Sequence, residues 1–489
     1  MASESQFDRM HRLRRPAFAL CASWFLLAIL PAVAHAADSP RRPNFIFFLT
    51  DDQRADALSI AGNTVLKTPN IDELARDGVR FSNAFVTTSL CAPSRASFLT
   101  GQWAHTHGVR TNERRSRLKP TQTIFADLLR DSGYEVAFIG KWHMDGAGRD
   151  RQWDYYFGFK GQGRYKHPEF AENGGPDRRY WKRYTDDMLG TKAIEFIRRP
   201  HTKPFCLFVF FKAPHRSWIR APRHEKLFED IKVPEPDTLH TDYAGKPDAF
   251  KNADMKIGDF DDVVSFQKFA KDYYAVLTAV DENVGRVMKA VAEKKLVEDT
   301  AVIYSSDNGF FVGEWNFFDK RLMHEPSIRI PMILRYPRLI KPGTAREDMV
   351  LNVDVAPTLL DLAGVPVPGW MQGESMRPLL EEREVEWRDA WLYESYEYPA
   401  VHMVPKNRGV RTDRWKYIHY FEDPQEYELY DLVADPGENN NLYGNIKFAP
   451  IVEKLQQRMT ELRRETSDPD LKKDVPTNNG ASLNKTGRR

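Results

Sequence analysis

Apolar residues along the chain occur in short continuous runs and in longer runs with helical spacing. In four stretches nearly every residue is apolar without alternation, as in strands of a parallel sheet that is buried on both faces. These stretches are residues 44–50, 135–140, 205–211 and 301–306. Between them lie runs with helical spacing at residues 68–77, 123–130, 186–199, 263–295 and 354–363. The alternation of buried strands and helices predicts an α/β fold, a large mostly parallel sheet with helices on both sides.

The pattern changes after a stretch rich in proline and glycine at residues 365–373. Short segments with alternating apolar and polar residues follow, and then an amphipathic helix, which predicts a small antiparallel sheet with one helix. The segments are residues 391–396, 408–412, 415–420 and 427–431, and the helix is residues 451–464. We therefore predict a first domain at 37–375, an α+β subdomain at 376–468 and a disordered polar tail at 469–489.

The first 36 residues differ from the rest of the chain. Four arginines precede an apolar run at residues 17–34, and Ala34-His35-Ala36 is a small-x-small cleavage site. This pattern predicts a signal peptide at 1–36 and a periplasmic or secreted protein. An uncleaved membrane anchor is the alternative, although the run is short for a span of ~20 residues.

Charge is balanced once this segment is removed. The chain has 71 basic and 69 acidic residues, and the segment carries four of the basic and two of the acidic ones, which leaves 67 of each. The balance gives no reason to expect nucleic acid as a partner, or a membrane after cleavage of the signal. Recognition of an anion must therefore be local.

Polar residues follow directly after the predicted strands. Because ligands collect at the carboxyl ends of strands in open α/β sheets, these residues are candidates for a shared site. They are Asp51 and Asp52, Lys141 and His143, His215, and Asp307 and Asn308. The aspartates and the asparagine form an all-oxygen set that suits a hard cation, with Ca²⁺ preferred and Mg²⁺ second. Each acidic pair taken alone is also typical of a turn or a helix cap.

The stretch at residues 90–101 predicts a short helix with a cysteine at its start. Pro93 suits the first turn of a helix and Gly101 suits a left-handed helix end. Cys91 then lies where unpaired backbone N–H groups favour an anion, and Arg95 lies one turn further on. The alternative is a small buried cysteine before an ordinary helix. A disulfide with Cys206 would consume this thiol, so we expect none.

The same stretch resembles the signature of the sulfatases, Cys-x-Pro-Ser-Arg followed by Leu-Thr-Gly. The matching residues are Cys91, Pro93, Ser94, Arg95, Leu99, Thr100 and Gly101. The resemblance covers most of residues 44–440 and implies an alkaline-phosphatase-like fold. It also implies that a formylglycine-generating enzyme oxidises Cys91 to formylglycine, whose hydrate is the nucleophile.

The resemblance assigns a role to each strand-end residue. Asp51, Asp52, Asp307, Asn308 and the group made from Cys91 would be metal ligands. Arg95 and Lys141 would hold the hydrate, and His143 would hydrogen-bond its hydroxyls. His215 and Lys320 would bind the sulfate and the leaving oxygen, with Arg321 as the alternative to Lys320.

The substrate is less strongly indicated. The segment 160–165 and aromatic neighbours could stack on sugar rings or form loop core. These neighbours are Trp153, Tyr155, Tyr156 and Trp181. His105, His107 and His402 are candidates for holding hydroxyls or a carboxylate. The irregular residues 145–185 and 216–262 are expected to wall the site. The pattern most resembles N-acetylglucosamine-6-sulfatase-like and arylsulfatase-like enzymes, which implies a sulfated carbohydrate or an aryl sulfate as substrate.

Two other functions stay open at this point. A hydrolase of phosphonate monoesters or phosphodiesters would use the same fold, but Asn308 beside Asp51 and Asp52 favours the sulfatase, since the phosphate branch often uses imidazole ligands for transition metals. A non-catalytic glycan-binding protein would need an unmodified Cys91.

Overall fold

The predicted apolar strands form the centre of a ten-stranded sheet in the computed structural model, which describes residues 42–144 and 148–471. Smaller sheets of two and four strands accompany it. In chain order the strands are β1 (Asn44–Thr50), β2 (Val79–Phe81), β3 (Ala84–Phe85), β4 (Glu135–Lys141), β5 (Tyr155–Phe159), β6 (Glu169–Glu172), β7 (Arg178–Arg179), β8 (Phe205–Phe210), β9 (Thr300–Ser306), β10 (Phe311–Val312), β11 (Phe318–Asp319), β12 (Met332–Arg335), β13 (Thr344–Arg346), β14 (Val350–Leu351), β15 (Ala390–Ser395), β16 (Asn407–Thr412), β17 (Trp415–Tyr420) and β18 (Glu426–Asp431).

Helices lie between the strands as the spacing predicts, with bounds within a few residues of those expected. The helices are α1 (Pro69–Arg76), α2 (Cys91–Thr100), α3 (Ala104–His107), α4 (Phe125–Asp131), α5 (Thr185–Arg198), α6 (Asp248–Lys251), α7 (Phe266–Glu293), α8 (Glu325–Ile328), α9 (Val355–Leu362), α10 (Arg377–Leu380) and α11 (Ala449–Glu465).

The strand order of the large sheet is β13-β2-β12-β9-β1-β8-β4-β5-β6-β7. The central strands from β9 to β5 pair in parallel, and antiparallel pairs join β12 and β6 to them. Because parallel strands leave their carboxyl ends at one edge, the residues after β1, β4, β8 and β9 meet there. The sheet confirms the predicted fold class.

The two faces of the sheet pack into separate cores, which explains why the central strands lack alternation. In β1, Phe45, Phe47 and Leu49 face a core built with α2, α4 and α9. Ile46 and Phe48 face the other core, built with α1, α5 and α7. Side chains that alternate between two apolar faces must all be apolar.

Part of the region 145–185 forms regular strands, contrary to the sequence interpretation. It was expected to be an irregular wall, but β5, β6 and β7 extend the large sheet. Tyr155 and Tyr156 are buried in β5, and Trp153 packs its ring 5.2 Å from that of Phe138. These aromatic rings are core, so they do not stack on a sugar. Trp181 differs, because it is 65% exposed.

The four C-terminal strands β15 to β18 form the predicted antiparallel sheet, and α11 packs on it. Their core also contains residues of the preceding region, including Phe85, Trp103 and Phe317. The boundary at residue 375 thus crosses one continuous apolar cluster. It stays a prediction.

The predicted signal peptide and most of the predicted tail lie outside the described residues. Within residues 42–144 and 148–471, none of the helices has the length and apolar character needed to cross a membrane.

Candidate active site

Two acidic pairs meet at the carboxyl ends of neighbouring strands. β1 and β9 run parallel, with Thr50 opposite Ser306, so Asp51 and Asp52 come next to Asp307 and Asn308. The backbone N–H of Asp52 donates to Asp307 Oδ1 at 3.0 Å. Asp52 has a φ of 74°, a left-handed conformation that aspartate tolerates better than most residues. All four residues are buried.

Cys91 lies against these acids as the first residue of α2. Its Sγ is 3.4 Å from Asp51 Oδ1 and 3.9 Å from Asp52 Oδ1. Leu90 before it is extended, and the helix ends at Gly101 with a φ of 66°, as the sequence predicts. Burial and the Asp51 charge raise the pKa of the Cys91 thiol well above its usual value. Since the thiolate is the nucleophilic form, an unmodified Cys91 in this environment is a poor nucleophile.

The donor set fits a hard divalent cation. One oxygen from each of Asp51, Asp52 and Asp307 and the Cys91 Sγ lie within 4.8 Å of one another. Asn308 Oδ1 is buried and accepts no hydrogen bond from the described residues. Burial and the neighbouring Asp51 charge raise the pKa of Asp307 to about 7. A cation held by these oxygens would offset that repulsion.

Three cationic side chains surround the acids, and each is buried. Arg95 Nε donates to Asp307 Oδ2 at 2.8 Å, and its NH1 donates to the Lys141 carbonyl at 2.6 Å. Lys141 Nζ donates to Asp51, and Lys320 Nζ donates to Asp52. Lys320 Nζ also lies 3.4 Å from Cys91 Sγ. Burial disfavours ionisation of Asp51, but Lys141 and the other nearby cations outweigh it and hold the pKa of Asp51 well below its usual value.

Two histidines border this cluster. His215 Nε2 is 3.9 Å from Asp52 Oδ2, and its Nδ1 is 2.7 Å from the Arg216 carbonyl, which requires Nδ1 to carry a proton. His143 follows β4, and its buried Nδ1 has no hydrogen-bond partner among the described residues. Burial and Lys141 lower the pKa of both histidines well below the usual value.

Lys320 is carried by a backbone that the C-terminal sheet supports. Asp319 and Arg321, on either side of it, have φ values of 83° and 90°, which are costly for residues other than glycine. Tyr393 OH of β15 donates to the Arg321 carbonyl at 2.9 Å, and Arg321 Nε donates to Glu397 Oε2 at 3.2 Å. Arg321, the sequence alternative to Lys320, thus pairs with Asp319 and Glu397.

The structure does not present His105, His107 or His402 to a substrate, contrary to the sequence interpretation. His402 lies between the Asp254 carbonyl and Asp319 Oδ2, at 3.0 and 3.2 Å. His105 lies between Glu394 Oε2 and the Thr466 carbonyl, at 2.7 and 2.8 Å. His107 bonds Ser97 Oγ and the Val109 N–H, at 3.1 Å each. Both ring nitrogens of each histidine are therefore occupied by protein atoms.

Two polar residues near the site lacked a specific sequence signal. Gln162 accepts a hydrogen bond from Lys141 Nζ. Asn112 Oδ1 accepts from the Ala92 N–H at 3.0 Å and so satisfies a donor in the first turn of α2. Both lie on loops, and only the tertiary fold brings them to the site.

Comparisons with known proteins point in one direction. The family model described as Sulfatase matches residues 43–365, and the one described as N-sulphoglucosamine sulphohydrolase, C-terminal, matches residues 313–465. The chain is 36% identical to the N-acetylglucosamine-6-O-sulfatase of Bacteroides thetaiotaomicron, covering 90% of this chain and 89% of that protein. It is 30% identical to the human N-acetylglucosamine-6-sulfatase, covering 76% and 71%.

Among solved structures, one protein in complex with its substrate D-glucosamine-2-N,6-O-disulfate has a TM-score of 0.83 and 36% identity, covering 88% of this chain and 99% of that one. The phosphonate monoester hydrolase of Agrobacterium radiobacter has a TM-score of 0.72 at 21% identity, covering 87% and 96%. At that identity the likeness extends to the fold alone.

Proposed function

Because the chain belongs to the sulfatase family, we propose that it removes the 6-O-sulfate from sulfated glucosamine residues. The observation that carries this substrate is the 36% identity, over 90% of the chain, to an N-acetylglucosamine-6-O-sulfatase. The likeness to a structure that binds a glucosamine disulfate supports it. The reaction consumes water, breaks the bond between sulfur and the ester oxygen, and releases the sugar alcohol and sulfate.

The nucleophile is formylglycine made from Cys91 by a formylglycine-generating enzyme. This group would supply a hydrated aldehyde with a hydroxyl that attacks the sulfur of the ester. Arg95 and Lys141 hold the hydrate, because both cations bond the acids beside residue 91. Arg95 bonds Asp307, and Lys141 bonds Asp51, whose Oδ1 is 3.4 Å from Cys91 Sγ. His143 hydrogen-bonds the hydroxyls of the same group, and its Nδ1, which is unpaired among the described residues, supports this role.

A divalent cation, Ca²⁺ before Mg²⁺, supplies positive charge that offsets the charge of the sulfate oxygens. Asp51, Asp52, Asp307 and Asn308 would hold it, and the unpaired Asn308 Oδ1 supports this assignment.

His215 and Lys320 bind the sulfate and the leaving oxygen. Lys320 Nζ lies between Asp52 and Cys91 Sγ and brings charge close to the reacting centre. His215 Nδ1 donates to the Arg216 carbonyl, so Nε2 is the atom that faces the site. Nε2 delivers a proton to the leaving oxygen from the imidazolium form, which the negative charge of a bound sulfate ester favours against the lowered pKa of His215 in the free site.

The function is tested with purified protein on D-glucosamine-2-N,6-O-disulfate, a nitrophenyl sulfate and a phenyl phosphonate monoester. We expect release of one sulfate from the sugar, and mass spectrometry of the peptide that contains Cys91 should show sulfur replaced by an aldehyde oxygen. Preferred hydrolysis of the phosphonate would overturn the substrate assignment. Full activity with an intact thiol would overturn the nucleophile.

A further inference from the structure

We propose that the end of the large sheet beyond β5 binds a sulfated polysaccharide chain, which extends away from the glucosamine residue that is cleaved. This inference rests on the proposed function and names a larger substrate for it. The surface, called here the basic edge, consists of Arg164, Lys166, Trp181, Lys182 and Arg183. None of these residues belongs to the cation site or to the groups placed around Cys91.

A cavity of about 480 Å³ lies against the basic edge. Lys166, Lys182 and Arg183 line it, together with residues of α5. The one acid among the described residues of this lining, Asp187, pairs with Arg223, whose NH1 is 2.7 Å from Asp187 Oδ2 and which also pairs with Glu282. The cavity therefore offers positive charge, and its size is within the range of small-molecule sites, about 300–1,000 Å³.

Several cations of the basic edge have no protein partner. In residues 42–144 and 148–471, Arg164, Lys182 and Arg183 make no side-chain hydrogen bond or ion pair, and all three are exposed. Lys166 has one acidic neighbour, Glu225, at 3.3 Å. Exposed charges usually have little effect on stability, but a group of unpaired bases attracts a polyanion, and arginine matches sulfate-like oxygens with two donors.

An exposed tryptophan stands among these charges. Trp181 is 65% exposed, although His167 and Arg179 contact its ring, with His167 5.3 Å from the ring centroid and the Arg179 guanidinium carbon 5.2 Å from it. An aromatic ring that two neighbours contact and that stays 65% exposed suits stacking on the apolar face of a sugar. The basic edge thus combines a stacking platform with sites for sulfate.

One short segment of chain joins the active site to the basic edge. Gln162 bonds Lys141 in the site, and Lys166 lines the cavity only four residues later, at most about 14 Å along the chain. Tyr165 between them donates to the His215 carbonyl at 2.6 Å. A saccharide chain whose terminal residue is in the active site can therefore reach the cavity. Because the active site is proposed to take a sulfated sugar, this closeness favours a sulfated polysaccharide over a nucleic acid.

The test compares a long and a short substrate in matched variants. K182E/R183E reverses two charges of the basic edge, and K203E/K295E reverses two exposed, unpaired charges at the amino ends of β8 and β9, away from the site. Lys182 and Lys295 also share a left-handed backbone, with φ values of 57° and 56°. Trp181→Ala tests the stacking platform separately.

We expect K182E/R183E to lower kcat/KM about tenfold on a heparin-derived oligosaccharide that ends in glucosamine disulfate, and to leave the monosaccharide disulfate unchanged. K182E/R183E should also elute from a heparin column at a lower salt concentration than the wild type, while K203E/K295E elutes at the same concentration as the wild type. Trp181→Ala should likewise reduce only the oligosaccharide rate.

Equal rates for all variants on the oligosaccharide would overturn the proposal, and so would an equal fall on both substrates. If the wild type binds DNA as strongly as heparin and the variants leave oligosaccharide turnover unchanged, the basic edge is a general polyanion site. That result would also contradict the proposal. Absence of monosaccharide turnover in the wild type would instead count against the proposed function, while the heparin column would still test the surface.

Discussion

Asp307 combines two tasks at the scale of a single residue. It offers an oxygen to the acidic cluster and accepts the Arg95 guanidinium at 2.8 Å. Its pKa, raised to about 7 by burial and Asp51, marks a carboxylate that needs a nearby cation. Because both roles belong to the site, we expect replacement of Asp307 to affect the site more than the fold.

Asp307→Asn keeps the shape of the side chain but removes its charge. We expect loss of the bound divalent cation on dialysis and a fall in turnover of at least about a hundredfold, since metal-site changes of this kind weaken metal binding strongly. Metal analysis of the dialysed protein measures the first effect. Asp281→Asn is the control, because Asp281 accepts from the Ile71 N–H at the start of α1 and should leave the metal content unchanged. Full cation content in Asp307→Asn would show that these acids only cap backbone.

The variant His215→Ala tests whether His215 is the general acid or only binds the sulfate. A sugar alkoxide needs a proton in the transition state, whereas nitrophenolate leaves largely without one. The variant should therefore lose about a hundredfold on the sugar sulfate and much less on the nitrophenyl sulfate. An equal loss on both would assign His215 to sulfate binding, and Lys320 would be the next residue to test as the acid.

At the scale of elements, β4 delivers Lys141 through an unusual glycine. Gly140 has a φ of 118°, and a Cβ there would lie 1.9 Å from the Phe210 carbonyl oxygen of β8. A side chain would therefore push two central strands apart just where both lead into the site.

Gly140→Ala should lower the free energy of unfolding by at least about 3 kcal/mol, from backbone strain and overpacking together. Gly133→Ala is the matched control, because Gly133 has a φ of 100° but open space around the same position. It should cost only about 1–2 kcal/mol, from the left-handed backbone alone. Denaturant unfolding measures the free energy of unfolding of both variants. Similar losses in the two would mean that β8 moves to accommodate the added methyl group.

The junction of α3 and β15 contains a buried ion pair between His105 and Glu394. Both neighbours of the His105 ring, Glu394 Oε2 and the Thr466 carbonyl, are acceptors, so both ring nitrogens must carry protons. Burial lowers the pKa of His105, but Glu394 outweighs it and the net shift is upward. In Glu394, burial alone would raise the pKa, but His105 outweighs burial and lowers the pKa of Glu394 to about 2.

The pair therefore makes stability depend on pH in a defined direction. The His105 contribution is fully present below its unfolded pKa of about 6.5 and is lost as pH rises through its raised folded pKa. The Glu394 contribution is present above about 4.5 and is lost as pH falls toward about 2. The pair should stabilise most between roughly pH 4.5 and 6.5.

Glu394→Gln should lower the free energy of unfolding at pH 6 by about 3 kcal/mol and reduce its decline toward alkaline pH. Glu135→Gln is the control, because Glu135 pairs with His201 at the same 2.7 Å but with a carboxylate 24% exposed. It should cost under about 1 kcal/mol. Denaturant unfolding across pH measures the stability of both variants. If the stability of Glu394→Gln depended on pH as that of the wild type does, this would contradict the assignment of the buried ion pair.

At the scale of the whole molecule, the C-terminal sheet is part of the structure that supports the site. It shares a core with Phe85, Trp103 and Phe317, and it holds the strained backbone beside Lys320 through Tyr393. The two matching family models also overlap between residues 313 and 365, on the segment that carries Lys320.

A protein cut after residue 375 should therefore not fold independently. It would expose the apolar cluster that β15 to β18 cover, and such a surface leads to aggregation. A chain that ends at residue 471 is the control and should stay soluble and active. Gel filtration and denaturant unfolding measure the outcome, and a cooperative, monomeric fragment 37–375 would establish an independent domain.

The sequence by itself determined the central strands and most helices, because a strand buried on two faces must be apolar throughout, as β1 is. It also determined the α2 helix, whose Pro93 and Gly101 are local signals. The polar residues after the strands were visible because parallel strands place their ends at one edge.

Only the tertiary structure decided which side chains meet. Aromatic residues of β5 were ambiguous, since the same rings suit a sugar or a core, and the partner strands β4 and β6 settle their burial. His105 and His402 looked available because their partners, Glu394 and Asp319, are distant in sequence or lie on a strained turn. Gln162 lies in a segment that the sequence indicates only for sugar stacking, and Asn112 gave no signal, because a loop amide acquires its role only from the groups that long-range packing places beside it.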